Sequence, residues 1–256
     1  MKELEVGIVG FGRCGQLGAR VLADRFRVRA ADPRDRSAEA EGLGVEWVSV
    51  SEAAAASHVV LAVPIRTLPQ ALDAIAPHLR PGTLVVDVCS VKLEPCRWMS
   101  ERLPETVHPV GTHPLFGPDS VREEGLAGQR IAICPALGHE RAADDVAAVC
   151  RELGLDPFFV DADEHDRRMA RSQAMVFLVA RSLRRAGIAA EDAADRKRLV
   201  ELGTPSERRF LSVLELVSGD TEELYEDIVR HNPHAHAAAR RLAEAVEQEI
   251  DRLFMV

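Results

Sequence analysis

The chain has 256 residues, 46% hydrophobic and 29% charged, enough for one large domain or two modest ones, and with aromatics at 4% the core must be built from Ala, Val, Leu and Ile. Lys and Arg number 32 against 41 Asp and Glu, a formal charge of −9, which excludes a non-specific polyanion binder because neutralising phosphates takes a basic face. A small anionic molecule stays open, since a few local cations hold a carboxylate.

Leu4 to Val9 is an apolar run that ends in Gly10-Phe11-Gly12-Arg13-Cys14-Gly15, and Gln16 to Asp24 continues with helical spacing: strand, glycine turn, helix. Phe26 to Ala31 is a second strand, ending at Asp32. Val59 to Val63 and Leu84 to Val88 are further strands around a helix from Thr67 to His78, followed by Val107 to Gly111, Ile131 to Cys134 and Phe158 to Val160. Repeated βα units predict a Rossmann-type, doubly wound, mostly parallel sheet covered by helices over residues 1–162. From 163 to 256 the strands give way to an all-α domain. Its predicted helices run from Asp166 to Ala186 before Gly187, from a capping box at Thr204-Pro205-Ser206-Glu207, from Asp220 to Glu223, and from Asn232-Pro233 to the end.

Five scattered cysteines, Cys14, Cys89, Cys96, Cys134 and Cys150, show no CxxC pair and no histidine at ligand spacing, so neither a disulfide framework nor a metal is expected. No run of about 18 apolar residues occurs, and the first strand begins too early to leave room for a leader, which gives the expectation of a cytoplasmic protein that binds neither membrane nor nucleic acid.

The glycine turn follows a strand, opens a helix, and has an acid at the end of the next strand, the three parts of a dinucleotide site. Gly10 permits the turn, Gly12 lets main chain approach a pyrophosphate, Gly15 lets the helix pack closely, and the helix N-terminus offers N–H groups to the phosphates. Asp32 suits the ribose hydroxyls and repels a 2′-phosphate, which favours NAD. Arg34 and Arg36 stand where a guanidinium holds a 2′-phosphate, which keeps NADP open.

Substrate is expected outside the carboxyl ends of later strands, at Asp87-Val88-Cys89-Ser90-Val91-Lys92 and at Gly111-Thr112-His113-Pro114-Leu115-Phe116-Gly117-Pro118. His113, at a strand end before a proline, is a candidate general base or else a loop histidine. Ser90 is a candidate for bonding a substrate hydroxyl beside the nicotinamide, or a turn residue.

These segments resemble the prephenate and arogenate dehydrogenases of tyrosine biosynthesis. The resemblance rests on Gly10 to Gly15, Ala62-Val63-Pro64, Asp87 to Lys92, Thr112 to Pro118, and Glu164-His165-Asp166 with Ser172-Gln173, and spans nearly the whole chain. It implies oxidative decarboxylation of a cyclohexadiene carboxylate. His113 takes the ring hydroxyl proton as hydride leaves the same carbon, and loss of carbon dioxide aromatises the ring. By the same resemblance Ser90 bonds that hydroxyl and orients His113, Thr112 and Gln173 line the substrate pocket, and Ala62, Val63 and Pro64 join the glycine turn and Ser90 around the cofactor.

Two positions depart from the family. A second substrate-contacting histidine, twelve residues after the His-Asp pair, is Phe177 here, and an arginine for a substrate carboxylate, nine residues before the aromatic matched to Tyr225, is Leu216. Arg168, Arg171, Arg208 and Arg209 are candidate replacements. Glu164 is a candidate partner for the ammonium of arogenate, although it equally suits a helix N-terminus. The alternatives are a dehydrogenase for a modified prephenate such as 4-amino-4-deoxyprephenate, or a non-catalytic NAD-binding regulator. A related hydroxy-acid dehydrogenase lacks its lysine, since the lysines are Lys2, Lys92 and Lys197. The apolar stripe Leu242, Val246, Ile250 and Leu253 predicts a homodimer through the C-terminal helices.

Overall fold

The computed structural model describes residues 4–136, 138–187, 197, 201, 203–206, 209 and 222–254. The elements in order are β1 (Glu5–Val9), α1 (Arg13–Leu22), β2 (Arg27–Ala31), α2 (Ser37–Gly42), β3 (Glu46–Trp47), α3 (Val50–Ala54), β4 (His58–Leu61), α4 (Leu68–Ile75), β5 (Leu84–Asp87), α5 (Leu93–Arg102), β6 (His108–Pro114), α6 (Pro118–Glu124), β7 (Arg130–Pro135), α7 (Glu140–Glu152) and β8 (Asp156–Phe159). After these come α8 (Ala162–Arg171), α9 (Gln173–Arg185), α10 (Glu222–His231) and α11 (Ala235–Phe254). One eight-stranded sheet has the order β3-β2-β1-β4-β5-β6-β7-β8. All pairs are parallel except β6 with β7. This is the expected Rossmann-type class, with a helical C-terminal region.

The central strands are apolar on both faces because helices cover both: Val6, Ile8 and Phe11 pack with Ala19 of α1 and with Val28, Ala30, Ala40 and Val45. A second cluster joins Val110, Ile131 and Ile133 to Ala143, Val146, Ala147 and Cys150 of α7. The chain divides into two compact units, Met1–His165 and Asp166–Val256.

Two expectations are corrected. The strand expected to end at Gly111 runs on to Pro114, so that His113 near its end lies opposite Ala132 of the antiparallel β7, a pairing that carries the strand on although Gly-Thr-His-Pro shows no strand-like alternation. The single helix expected from Asp166 to Ala186 is broken at Ser172 (φ −115, ψ −87), whose hydroxyl donates back to the Arg168 carbonyl at 2.9 Å beside the Ser172 N–H at 3.1 Å, a back-bond of the kind that bends helices. The short α2, β3 and α3 and the helices α5 and α6 lack a strong apolar period and were not foreseeable from it; α3 is fixed instead by a capping box between Ser49 and Glu52. Of the helix start at Thr204, Glu207 lies outside the described residues, as do Arg208, Leu216 and Asp220.

Within the second unit, Phe177 of α9 lies on Tyr225 of α10 with ring centroids 3.7 Å apart, and Arg181 pairs with Glu222 at 2.8 Å and Glu226 at 3.1 Å. Among the described residues no helix is long and apolar enough to cross a membrane, and no group of three or more His, Cys, Asp or Glu is placed to hold a metal ion.

Candidate active site

The carboxyl ends of β1, β4, β5 and β6 share one edge of the sheet, because these strands run parallel as neighbours. At the end of β1, Gly10 has φ +95, and a Cβ there would stand 2.5 Å from the Ala62 carbonyl oxygen and 2.8 Å from Val63 Cγ1. The glycine turn is thus pressed against the Ala62-Val63-Pro64 strand end. A Cβ on Gly15 would stand 2.0 Å from the Gly10 carbonyl oxygen, so α1 packs directly on the turn that opens it. Gly12 differs: it is the N-cap of α1, and nothing lies within 4 Å of where its Cβ would be. The first turn of α1 carries no acid and its N-cap makes no side-chain bond to it, so the positive end of the helix borders open space. That arrangement fits a dinucleotide pyrophosphate.

Asp32 closes the cradle. One carboxylate oxygen accepts from the Phe11 N–H at 2.8 Å and the other from the Arg34 N–H at 2.9 Å. Phe11 contributes only main chain: its ring is fully buried, edge-on to Trp47, and its carbonyl accepts from Gln16 at 3.0 Å. Arg13 pairs with Asp119 at 2.5 Å, linking α1 to α6. Cys14 and Arg34 are exposed, and Arg36 pairs with Glu39 at 3.2 Å.

The second cluster stands at the ends of β5 and β6. Asp87, Lys92 and Thr112 are all buried. Lys92 Nζ pairs with the Asp87 carboxylate and donates to the Thr112 carbonyl at 2.5 Å, while the Thr112 hydroxyl donates to the Asp87 carbonyl at 2.6 Å and the Cys89 N–H to the Asp87 carboxylate at 2.9 Å. Burial, the largest single influence, pulls the Lys92 amine down, but the adjoining Asp87 carboxylate together with Cys96 and Cys89 outweighs it and raises the pKa, so the lysine stays charged. These bonds lock the Cys89-to-Lys92 loop onto β6.

His113 follows Thr112 and so faces the opposite side of the strand. It is 3% exposed, and its Nδ1 lies 2.9 Å from Nε2 of His165, itself 2% exposed in the first turn of α8. Burial, then the His165 ring, then the Lys92 charge hold His113 well below the usual histidine pKa. The ring is therefore neutral near pH 7. Among the described residues none bonds its Nε2, which makes that atom the one open to a ligand.

Ser90 sits half-buried in the loop between β5 and α5 and makes no hydrogen bond to His113 among the described residues; His165 holds that ring instead. Glu164 precedes His165 and is half-buried, with its N–H on Asp161 at 3.2 Å; Asp161 also takes the Asp163 N–H at 2.8 Å and is the side chain that caps α8. In the second unit, Gln173 opens α9, and its Oε1 is buried without a hydrogen-bond partner among the described residues. Arg168, Arg171 and Arg209 are exposed. His165, Asp87 and Lys92 fall within the segments that carry the family resemblance, but nothing in their local sequence marks them as site residues. For His165 the obstacle is a separation of 52 residues from its partner.

Residues 23–155 match the nucleotide-binding domain family of prephenate dehydrogenase. A probable arogenate/prephenate dehydrogenase of Methanocaldococcus jannaschii is 28% identical over 195 residues, covering 75% of this chain and 43% of that protein, so the chain spans less than half its length. A 4-amino-4-deoxyprephenate dehydrogenase of Streptomyces pristinaespiralis is 30% identical over 240 residues, covering 91% of this chain and 75% of that protein. Among solved structures, prephenate dehydrogenase from A. aeolicus, in complex with hydroxyphenyl propionate and NAD+, superposes with a TM-score of 0.75 at 19% identity over 98% of this chain and 91% of that one, a likeness of fold.

Proposed function

The chain belongs to the prephenate dehydrogenase family, and on that premise we propose that it oxidises and decarboxylates arogenate or prephenate. The observation that carries the reading is a buried, neutral His113 with Nδ1 held and Nε2 open, on the sheet edge that also bears the glycine cradle. Nε2 takes the ring hydroxyl proton, Ser90 bonds the same hydroxyl, and Thr112 and Gln173 belong to the substrate pocket. Loss of carbon dioxide from the oxidised ring gives an aromatic product. Glu164 is the partner for the ammonium of arogenate, which favours arogenate over prephenate.

NAD, when bound, supplies the hydride acceptor. Gly10, Phe11 through its main chain, Gly12, Arg13, Cys14 and Gly15 form its pyrophosphate seat, with Ala62, Val63, Pro64 and Ser90 beyond it. Asp32 takes the ribose, and Arg34 is the residue through which NADP would be accepted. A second copy of the chain joins through the C-terminal helices, a reading supported by Val246, Ile250, Leu253 and Phe254 of α11, which are 50%, 50%, 56% and 76% exposed. The place of action is the cytoplasm.

A second reading is a dehydrogenase for 4-amino-4-deoxyprephenate. It is favoured by the Streptomyces relative and by Phe177, stacked on Tyr225 where the family resemblance calls for a polar histidine. Steady-state kcat/KM for arogenate, prephenate and 4-amino-4-deoxyprephenate, each with NAD and NADP, decides between them. Turnover of arogenate at least about tenfold better than the others is expected. NAD binding with no turnover of any of the three would leave a regulator.

A further inference from the structure

His113 and His165 meet through Nδ1 and Nε2 at 2.9 Å, one ring on the sheet and one on α8, both buried. A hydrogen bond between two neutral imidazoles holds one proton in one of two arrangements. If His165 donates from Nε2 to a bare His113 Nδ1, the remaining His113 proton sits on Nε2, and that atom has no lone pair with which to accept. If His113 donates from Nδ1 to a bare His165 Nε2, then His113 Nε2 keeps its lone pair and His165 carries its own proton on Nδ1.

We propose that His165 is the positioning residue of this site, accepting from Nδ1 so that His113 is held in the tautomer whose Nε2 can take the substrate proton. This rests on the reading of His113 as the base. The tautomer of an imidazole is set by the hydrogen bond its other nitrogen makes, and at His113 that bond goes to His165. When the substrate hydroxyl gives up its proton, Nε2 gains it and His113 becomes an imidazolium. The Nδ1–H···Nε2 bond to His165 then becomes charge-assisted and strengthens as the charge appears. One proton leaves the hydroxyl and one is gained by the pair; NAD, when bound, would accept the hydride with its electron pair.

An imidazole in this role differs from the carboxylate of a serine-protease triad. A carboxylate would raise the pKa of its histidine by its fixed charge. Among the described residues the ionisable groups that shift His113 are His165 from α8 and Lys92 from the β5–α5 loop, the latter paired with Asp87, and neither is a carboxylate. His165 therefore orients His113 without making it a resting cation.

The test uses the full chain with His165→Gln, His165→Ala and His113→Asn. The side-chain oxygen of Gln reaches the place of Nε2 and can accept but carries no ring. Long-range proton–nitrogen NMR of the His113 ring is expected to show the proton on Nδ1 in the wild type and in His165→Gln, and on Nε2 in His165→Ala. Turnover is expected to stay within about tenfold of wild type in His165→Gln and to fall by about 10²-fold or more in His165→Ala, with KM for the ring substrate little changed. An Nε2-protonated His113 in the wild type overturns the proposal, as does an Ala variant that turns over like the wild type while His113→Asn is inactive. Retained turnover in His113→Asn instead removes the base reading beneath it. If His165→Ala fails to fold, the wild-type tautomer and the Gln variant still decide.

Discussion

Gly12 and Gly15 stand three residues apart and should fail in opposite ways when each is given one methyl group. At Gly15 the new Cβ would lie 2.0 Å from the Gly10 carbonyl oxygen, where ordinary contact begins near 3.4 Å, and the obstacle is main chain that a rotamer change cannot move. Overpacking against a rigid backbone costs about 3 kcal/mol or more, so Gly15→Ala should lower Tm by at least about 6 °C at roughly 2–4 °C per kcal/mol for a protein of this size. At Gly12 nothing lies within 4 Å, and φ −69, ψ −168 is open to alanine. The poorer N-cap and the stiffer unfolded chain offset each other within about 1 kcal/mol, so Gly12→Ala should keep Tm within about 4 °C. The methyl group would instead occupy the approach to the α1 N-terminus, and the NAD dissociation constant by titration calorimetry should rise at least about tenfold, roughly 1.4 kcal/mol. Wild-type NAD affinity in folded Gly12→Ala would refute the helix start as the phosphate seat, and an unchanged Tm in Gly15→Ala would refute the close packing of α1 on its turn.

His113→Asn should lower kcat by about 10²-fold or more with NAD affinity unchanged. Because burial depresses the folded-state pKa of His113, wild-type kcat should stay level as pH falls through about 6.5 and drop only below it. The same sign governs stability: it is fully present above the unfolded histidine value and declines as pH falls towards the folded one, because the unfolded chain binds a proton that the buried ring refuses, and urea midpoints across that range would show it. Lys92→Met strands the Asp87 carboxylate in the interior and should cost about 3–5 kcal/mol by denaturant unfolding, with part recovered when Asp87→Asn is added. Light scattering should give a dimer mass that falls to a monomer in Ile250→Glu/Phe254→Glu.

The cradle was legible because its chemistry is local: strand, glycines, helix and the acid after β2 lie in one stretch, and each glycine has a steric reason visible in the spacing. His113 was recognisable as a residue but not in its setting, since Gly-Thr-His-Pro becomes strand only through β7, which follows later in the chain. The pairing with His165 was hidden for the same reason, as sequence periodicity reports the face of an element and not what meets it across the fold. The break at Ser172 was missed because a hydroxyl bonding back to Arg168 leaves the apolar spacing of the surrounding helix unchanged.

Asp32 has both carboxylate oxygens committed, one to the glycine turn and one to its own loop, before any ligand arrives. Asparagine offers one acceptor oxygen where two are in use, and a small neutral residue offers none in the same place. A lineage moving towards a 2′-phosphorylated cofactor gains by discarding this negative charge, but in doing so it would also loosen the glycine turn. For this chain the one-residue route to a new cofactor passes through a poorer binder of both, so a change of preference requires the loop after β2 to be rebuilt first.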